Sequence, residues 1–313
     1  MDIKINSEFA HELVLAVPYA YWLHVNGRLS SVTTSTGMSP FYYFCNDVRE
    51  SFTSRTLDNS QAGLNALPNT WIHHNAVSVT GKDYNALSPT EQSKVNGVLD
   101  YSQWLAPDYK NMYGNVKLFE TPYIVVNNNF NIESGNDISK TMRYFDIKAL
   151  YDIFNILTKK GYTVIYKRPT NTEFALDENE MLSVRQNITL KANVEGIGEL
   201  TDYELCEYYD GRVINLNKID RPEYSYNELQ LRIFANASGF ITPNGGGGIL
   251  CGYFSAPVVM HVTSGKELRP NYLTNKDSYY SKLSDNTLHA VIDPDNKTNY
   301  SKLLEKIKEI YEN

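Results

Sequence analysis

The residues best suited to chemistry lie in Thr242-Pro-Asn-Gly-Gly-Gly-Gly-Ile249, where Asn244 precedes the consecutive glycines Gly245, Gly246, Gly247 and Gly248. Glycine lacks a Cβ and adopts positive φ freely. Backbone N–H groups in such a run can therefore turn toward an anion, and a helix starting there adds positive potential. A pyrophosphate suits that chemistry. A plain strand-to-helix turn needs one or two glycines, so four in a row point to a ligand loop. The run is neither GxGxxG nor GxxxxGK[ST], which argues against dinucleotide oxidoreductases and P-loop NTPases.

The elements that must position this loop can be read along the chain. Phe240-Ile-Thr242 forms a strand before it, Ile249 to Phe254 a short helix after it, and Pro257 to Val262 the next strand. Upstream, Tyr123-Ile-Val-Val126 has the apolar run of a buried parallel strand. Asp146 caps a helix from Ile147 to Lys160 that Gly161 ends, and Tyr162 to Tyr166 completes a βαβ unit. Arg212 to Asn215 is a further strand, and Ser225 opens a helix through Ala237. In the first third, Glu12 to Val17 has the length of a buried strand and Tyr19 to Asn26 reads as the helix after it. Phe41 to Phe44 is a second β-prone stretch, and Ser88-Pro89-Thr90-Glu91 is a helix start. Periodicity lapses between Ala106 and Thr121, placing a boundary near residue 118. The fold class expected is α/β: two Rossmann-like lobes, 1–118 and 119–313, facing a central cleft, with the Lys302 to Tyr311 helix packing back on the first lobe.

The order strand, glycine-rich turn, short helix, Ser-Ala-Pro, apolar strand over residues 239–261 resembles the donor-binding lobe of GT-B glycosyltransferases. The resemblance implies a C-terminal lobe that holds a nucleotide-diphosphate sugar and an N-terminal lobe that binds the acceptor. It implies transfer of a hexosyl or pentosyl group to a glycan, glycolipid or glycoprotein hydroxyl, with no cofactor beyond the donor substrate. The segment between Gly245 and Pro257 carries no acid, unlike the Glu-x7-Glu donor motif of many retaining members. This favours an inverting reaction, and the reading expected is of an inverting, metal-independent enzyme. A nucleotide-sugar epimerase of the same superfamily and a non-catalytic carbohydrate- or nucleotide-binding protein are the alternatives.

Site residues follow from that reading. Lys167 and Arg168 end a strand at the ligand-binding edge and could hold phosphates, as could Asn127 and His261, while Glu267 could accept hydrogen bonds from ribose hydroxyls. The base that takes the acceptor proton is sought in the first lobe, at Asp47 or His73, with His24 and His74 as weaker candidates; Tyr19 and Tyr21 form an acceptor wall. Asp293-Pro-Asp295 has the letters of a metal-binding Asp-x-Asp but stands before the terminal helix, where acids serve as caps. No metal is expected.

Composition narrows the class. The 313 residues carry 29 Lys plus Arg against 36 Asp plus Glu, a net charge of −7, the wrong sign for gripping nucleic-acid backbone broadly. The three cysteines, Cys45, Cys206 and Cys251, stand in no CxxC or zinc spacing. No stretch is long and apolar enough to span a membrane, and the first residues lack a signal-peptide core, so a cytoplasmic protein with at most peripheral membrane contact is expected. The 24 tyrosines are a second oddity, consistent with codon bias or with a surface suited to sugars.

Overall fold

The computed structural model describes residues 1–56, 62–63, 67–68, 71, 76–130, 143–168, 175–176, 190–284, 287–295 and 299–311. Two parallel sheets organise them. The first has the order β1-β2-β3, from β1 (Asp2–Lys4), β2 (Ser31–Ser35) and β3 (Val48–Phe52). The second has six strands in the order β11-β10-β9-β4-β5-β8. They are β4 (Tyr123–Asn127), β5 (Thr163–Lys167), β8 (Val213–Asn215), β9 (Gly239–Pro243), β10 (Val258–Val262) and β11 (Leu288–Ile292). A small antiparallel pair, β6 (Lys191–Val194) and β7 (Gly198–Thr201), stands apart.

The first lobe departs from the sequence reading. Glu12 to Val17 is not a strand. Together with Phe9–His11 and Val17–Val25 it makes one helix, α1, whose middle is the π-helical turn Glu12–Ala16. Every residue of that turn is buried, so the run lacks the polar positions that mark helical period, and six apolar-rich residues in a row look like a strand. The first strand is instead the three-residue β1. Phe41 to Phe44 likewise form no strand: Ser39–Tyr42 is a 3-10 turn.

The second lobe follows the sequence more closely. Helices α2 (Ala76–Thr80), α3 (Pro89–Val95) and α4 (Tyr109–Tyr113) precede it, α3 with the full Ser88/Glu91 capping box. Within it lie α5 (Ile147–Lys159), α6 (Asp202–Tyr208), α7 (Tyr226–Ala235), α8 (Gly246–Cys251), α9 (Tyr279–Ser284) and α10 (Ser301–Tyr311). Asp146 accepts from the Ala149 N–H at 2.8 Å, and Gly161 (φ +86°) lets the chain leave α5 in the left-handed conformation. The helix after the glycines begins at Gly246 rather than Ile249, so three of the four glycines are helical.

Alternate residues of the large sheet feed two cores. Val125, Phe240 and Met260 face a cluster that also contains Ile3, Val32 and the buried side of α1, so the two lobes share one apolar interior. Ile124, Ile241 and Val259 face the other cluster, covered by α5, α6 and α10, which among the described residues holds none before Ile124. Among the described residues the terminal helix packs on the second lobe, not back on the first. Leu303, Ile307 and Tyr311 bury its apolar stripe on the far face of the second sheet, where the Tyr311 hydroxyl donates to the Pro257 carbonyl at 2.9 Å.

Candidate functional site

In the large sheet the chain runs outward from β4 to β5 and β8, then crosses back to β9 on the other side of β4. That reversal makes the carboxyl ends of β4 and β9 a topological switch point, where open parallel sheets leave a crevice for ligands. Asn127 ends β4 and the glycine turn follows β9. Gly245 has φ +128°, a conformation that favours glycine. The next three are closely approached, Gly247 most of all: a Cβ on Gly246 would lie 3.2 Å from Phe9 of α1, one on Gly247 2.3 Å from the Asn127 amide nitrogen, and one on Gly248 2.8 Å from the end of the Met260 side chain. Beneath the turn, buried Asn127 donates to Thr242 Oγ1 (2.9 Å) and accepts from Lys167 Nζ (3.0 Å).

The turn after β10 meets the glycine turn through Asn244. Its backbone N–H donates to the His261 carbonyl at 3.0 Å, and its side-chain amide donates to the Ser264 carbonyl (2.9 Å) and to Glu267 Oε2 (3.1 Å). Glu267 Oε1 accepts from the Tyr280 hydroxyl at 3.0 Å. Arg143 Nε donates to Ser264 Oγ at 2.9 Å. A Cβ on Gly265 would meet Glu267 Oε2 at 2.7 Å, with Arg143 Nη2 and Asn244 Nδ2 each at 3.3 Å, so an acid, a guanidinium and an amide converge on one bare backbone position.

Opposite these turns stands the start of α1. Glu8, His11, Val14 and Leu15 line the same cavity of about 270 Å³ as Gly245, Gly246 and Glu267, and Arg143, Lys266, Tyr272 and Tyr279 complete it. Glu8 Oε2 lies 3.9 Å from His11 Nδ1. The cavity thus holds a carboxylate and an imidazole on one wall, and two cations beside the first turn of α8 on the other, where helix N–H groups have no intrahelical acceptor. Among the described residues no group of three or more His, Cys, Asp or Glu side chains could hold a metal ion. Asp293 is buried and paired with Lys302 at 2.9 Å, a tie to α10 and not a cap.

The sequence-predicted residues divide accordingly. Asn244, Gly245, Gly246 and Glu267 border or line the cavity; Asn127, Lys167, Gly247 and Gly248 support the turn from below. Arg168 does not act as a cleft cation. It is buried with its Nε 2.7 Å from Asp202 Oδ2 and its guanidinium over Tyr203, 4.7 Å from the ring centroid. Burial raises the Asp202 carboxyl pKa against the opposing effect of Arg168, so the pair is a core element. His261 is also internal, stacked on Phe145 and beside Tyr300, and burial lowers its pKa to about 4, with Asp293 acting in the opposite sense. An imidazole neutral at pH 7 adds no charge to a phosphate site.

Asp47 precedes β3, at the amino edge of the first sheet, and is held by Arg49 at 2.5 Å. It is the wrong edge for the cleft. Tyr19 is buried, stacked on Trp22 and edge-on to Trp71, and Tyr21 packs on Phe44 and His24. Tyr19, Tyr21 and His24 lie in the later turns of α1, within the first lobe; none lines the cavity, neither the two tyrosines expected as an acceptor wall nor His24, a candidate base. His73 and His74 lie outside the described residues. Sequence reasoning missed Glu8, His11, Arg143, Lys266, Tyr272 and Tyr279. The signal for the first two was Asp2-Ile-Lys4: read as a strand, its carboxyl edge points to residues 5–8.

No protein-family model matches this chain, and no curated protein matches it in sequence. Solved structures do match in fold. The E. coli heptosyltransferase WaaC with ADP superposes with a TM-score of 0.51 at 10% identity, covering 98% of each chain. E. coli ADP-heptose LPS heptosyltransferase II gives 0.49 at 10% identity over 99% of this chain and 98% of its own. The glycosyl transferase family 9 protein of Veillonella parvula DSM 2008 gives 0.48 at 10% over 99% and 96%. The parallel sheets, the switch point between β4 and β9 and the end-to-end superposition on WaaC together establish a GT-B-like architecture of two α/β lobes.

Proposed function

We propose that the protein is an inverting, metal-independent glycosyltransferase that moves a sugar from a nucleotide-diphosphate donor to a glycan hydroxyl. The observation that carries this reading is the composition of the cleft wall: Glu8 and His11 face Gly245, Gly246, Arg143 and Glu267 across one cavity. In this reading residues 1–118 bind the acceptor and residues 119–313 the donor.

The diphosphate lies at the first turn of α8 with Arg143 and Lys266 beside it, and the ribose hydroxyls donate to Glu267, whose carboxylate Asn244 and Tyr280 orient. The acceptor oxygen attacks the anomeric carbon on the face opposite the diphosphate, and the carbon–oxygen bond to phosphate breaks. Glu8 takes the hydroxyl proton, and His11, 3.9 Å away, steadies its charge. Negative charge departs on the diphosphate, where preorganised amides and cations stabilise it more in the transition state than in the ground state.

A thermal-shift screen with UDP, GDP, ADP, CMP and dTDP tests the donor site. A nucleotide at 100 times its Kd should add about 2.7 kcal/mol, and no shift with any of them removes the reading. Transfer abolished by EDTA would remove metal independence.

A further inference from the structure

Glu12 is buried on the π-helical turn of α1, one turn after Glu8, and its carboxylate accepts from Arg55 Nη1 (2.6 Å), Thr34 Oγ1 (2.5 Å) and the Tyr42 hydroxyl (2.8 Å). Arg55 reaches further. Nη1 also donates to the Ser7 carbonyl at 2.7 Å, Nε to the Ala175 carbonyl at 3.2 Å, and the guanidinium lies over Phe9, 5.4 Å from its centroid. Phe9 is the side chain that Gly246 makes room for. One planar cation thus touches the residue before Glu8, the helix that carries His11, the ring seated on the glycine turn, and residue 175 of the second lobe. The Arg55 backbone N–H adds a bond to the Leu176 carbonyl at 3.1 Å, and the Ala175 N–H one to the Thr36 carbonyl at 2.9 Å.

A buried ion pair is a poor source of stability, because desolvation of the two charges offsets much of their attraction. The fork geometry is better accounted for by position. A misplacement of about 1 Å in a reacting group can cost ~100-fold in rate. We propose that Arg55 is a positioning residue that fixes Glu8 and His11 against the Gly245–Gly246 turn. The proposal rests on the transferase reading for its consequence in turnover, and on geometry alone for the placement of residues 7–11.

Arg55→Lys tests it, since a lysine keeps the charge for Glu12 but cannot present several donors in one plane. Donor contacts lie in the second lobe, so nucleotide Kd should stay within about twofold while kcat falls by at least about tenfold. Glu12→Gln leaves the buried Arg55 charge without its carboxylate and should lower stability in denaturation, but Arg55 keeps its Ser7 and Ala175 carbonyls, so the folded protein should retain most of kcat. A purely structural role would instead lower nucleotide binding stoichiometry and kcat together. Hydrogen exchange supplies a readout independent of turnover: amides 7–11 should exchange about tenfold faster in Arg55→Lys, with β10 unchanged. Wild-type kcat in Arg55→Lys overturns the role in turnover. Unchanged exchange over 7–11 overturns the placement, even if the protein transfers no sugar; absence of transfer by the wild type overturns only the reading on which the turnover claim rests.

Discussion

Gly247→Ala is the sharpest test of how the glycine turn is built. The added Cβ would lie 2.3 Å from Asn127 Nδ2 and 3.1 Å from both Cγ and Oδ1 of the same side chain. Carbon and nitrogen need about 3.5 Å, so one partner must move by about 1 Å. Asn127 is fully buried and is fixed at both ends of its amide, by Thr242 and by Lys167. Retreat of the helix is opposed elsewhere, because it is packed so closely that a Cβ on Gly248 would meet Met260 at 2.8 Å and the Pro243 carbonyl at 3.1 Å. Breaking the neutral bond to Thr242 costs about 1 kcal/mol and the charge-assisted bond to Lys167 about 1.5–3. Alanine returns up to about 1 kcal/mol of helix propensity. The net loss is about 1.5–4 kcal/mol, read as a lower urea midpoint with an unchanged m-value. Gly246→Ala is the control: its Cβ meets the movable ring of Phe9 at 3.2 Å, and it should lose clearly less stability. Equal stability of Gly247→Ala and wild type, or a larger loss at Gly246, would refute the account of why the run is glycine.

Arg168→Met strands the buried Asp202 carboxylate and should cost about 3–5 kcal/mol in chemical denaturation while leaving nucleotide Kd unchanged; Arg168→Met/Asp202→Leu should recover most of it. Glu267→Gln replaces an acceptor-only group that serves Asn244 and Tyr280, and calorimetry should find nucleotide Kd raised by about 10- to 100-fold, the loss of one hydrogen bond to a charged group. His261 titrates near 4 in the folded protein against an ordinary 6.5, so the unfolded chain binds more protons between those values. Its contribution, about 3 kcal/mol, is complete above pH 6.5 and lost as pH falls to about 4; His261→Phe, seated between Phe145 and Tyr300, should flatten the pH dependence of stability in that window.

What could be read in the sequence was what local pattern determines. Asp146, Gly161 and the apolar runs of β4, β5, β9 and β10 each act over a few residues, and the second lobe followed from them. The first lobe did not, because its apolar run at 12–17 is buried on all sides and carries no period, while its true first strand is three residues long. The site was half legible for a related reason. Topology brings a strand's carboxyl edge to the crevice, and this pointed to Asn244, Gly245 and Glu267, which the structure places at or beside the cavity; whether a cation at such an edge faces the cavity or the core depends on a partner distant in sequence. Arg168 meets Asp202 and turns inward, whereas Arg143 bonds Ser264 and stays at the cavity. On the proposed reading, a chain of net charge −7 must concentrate positive potential where it holds the anionic donor. Among the described residues the cations lining the cavity are Arg143 and Lys266, which stand far apart in the chain, so neither position in the sequence announces the other.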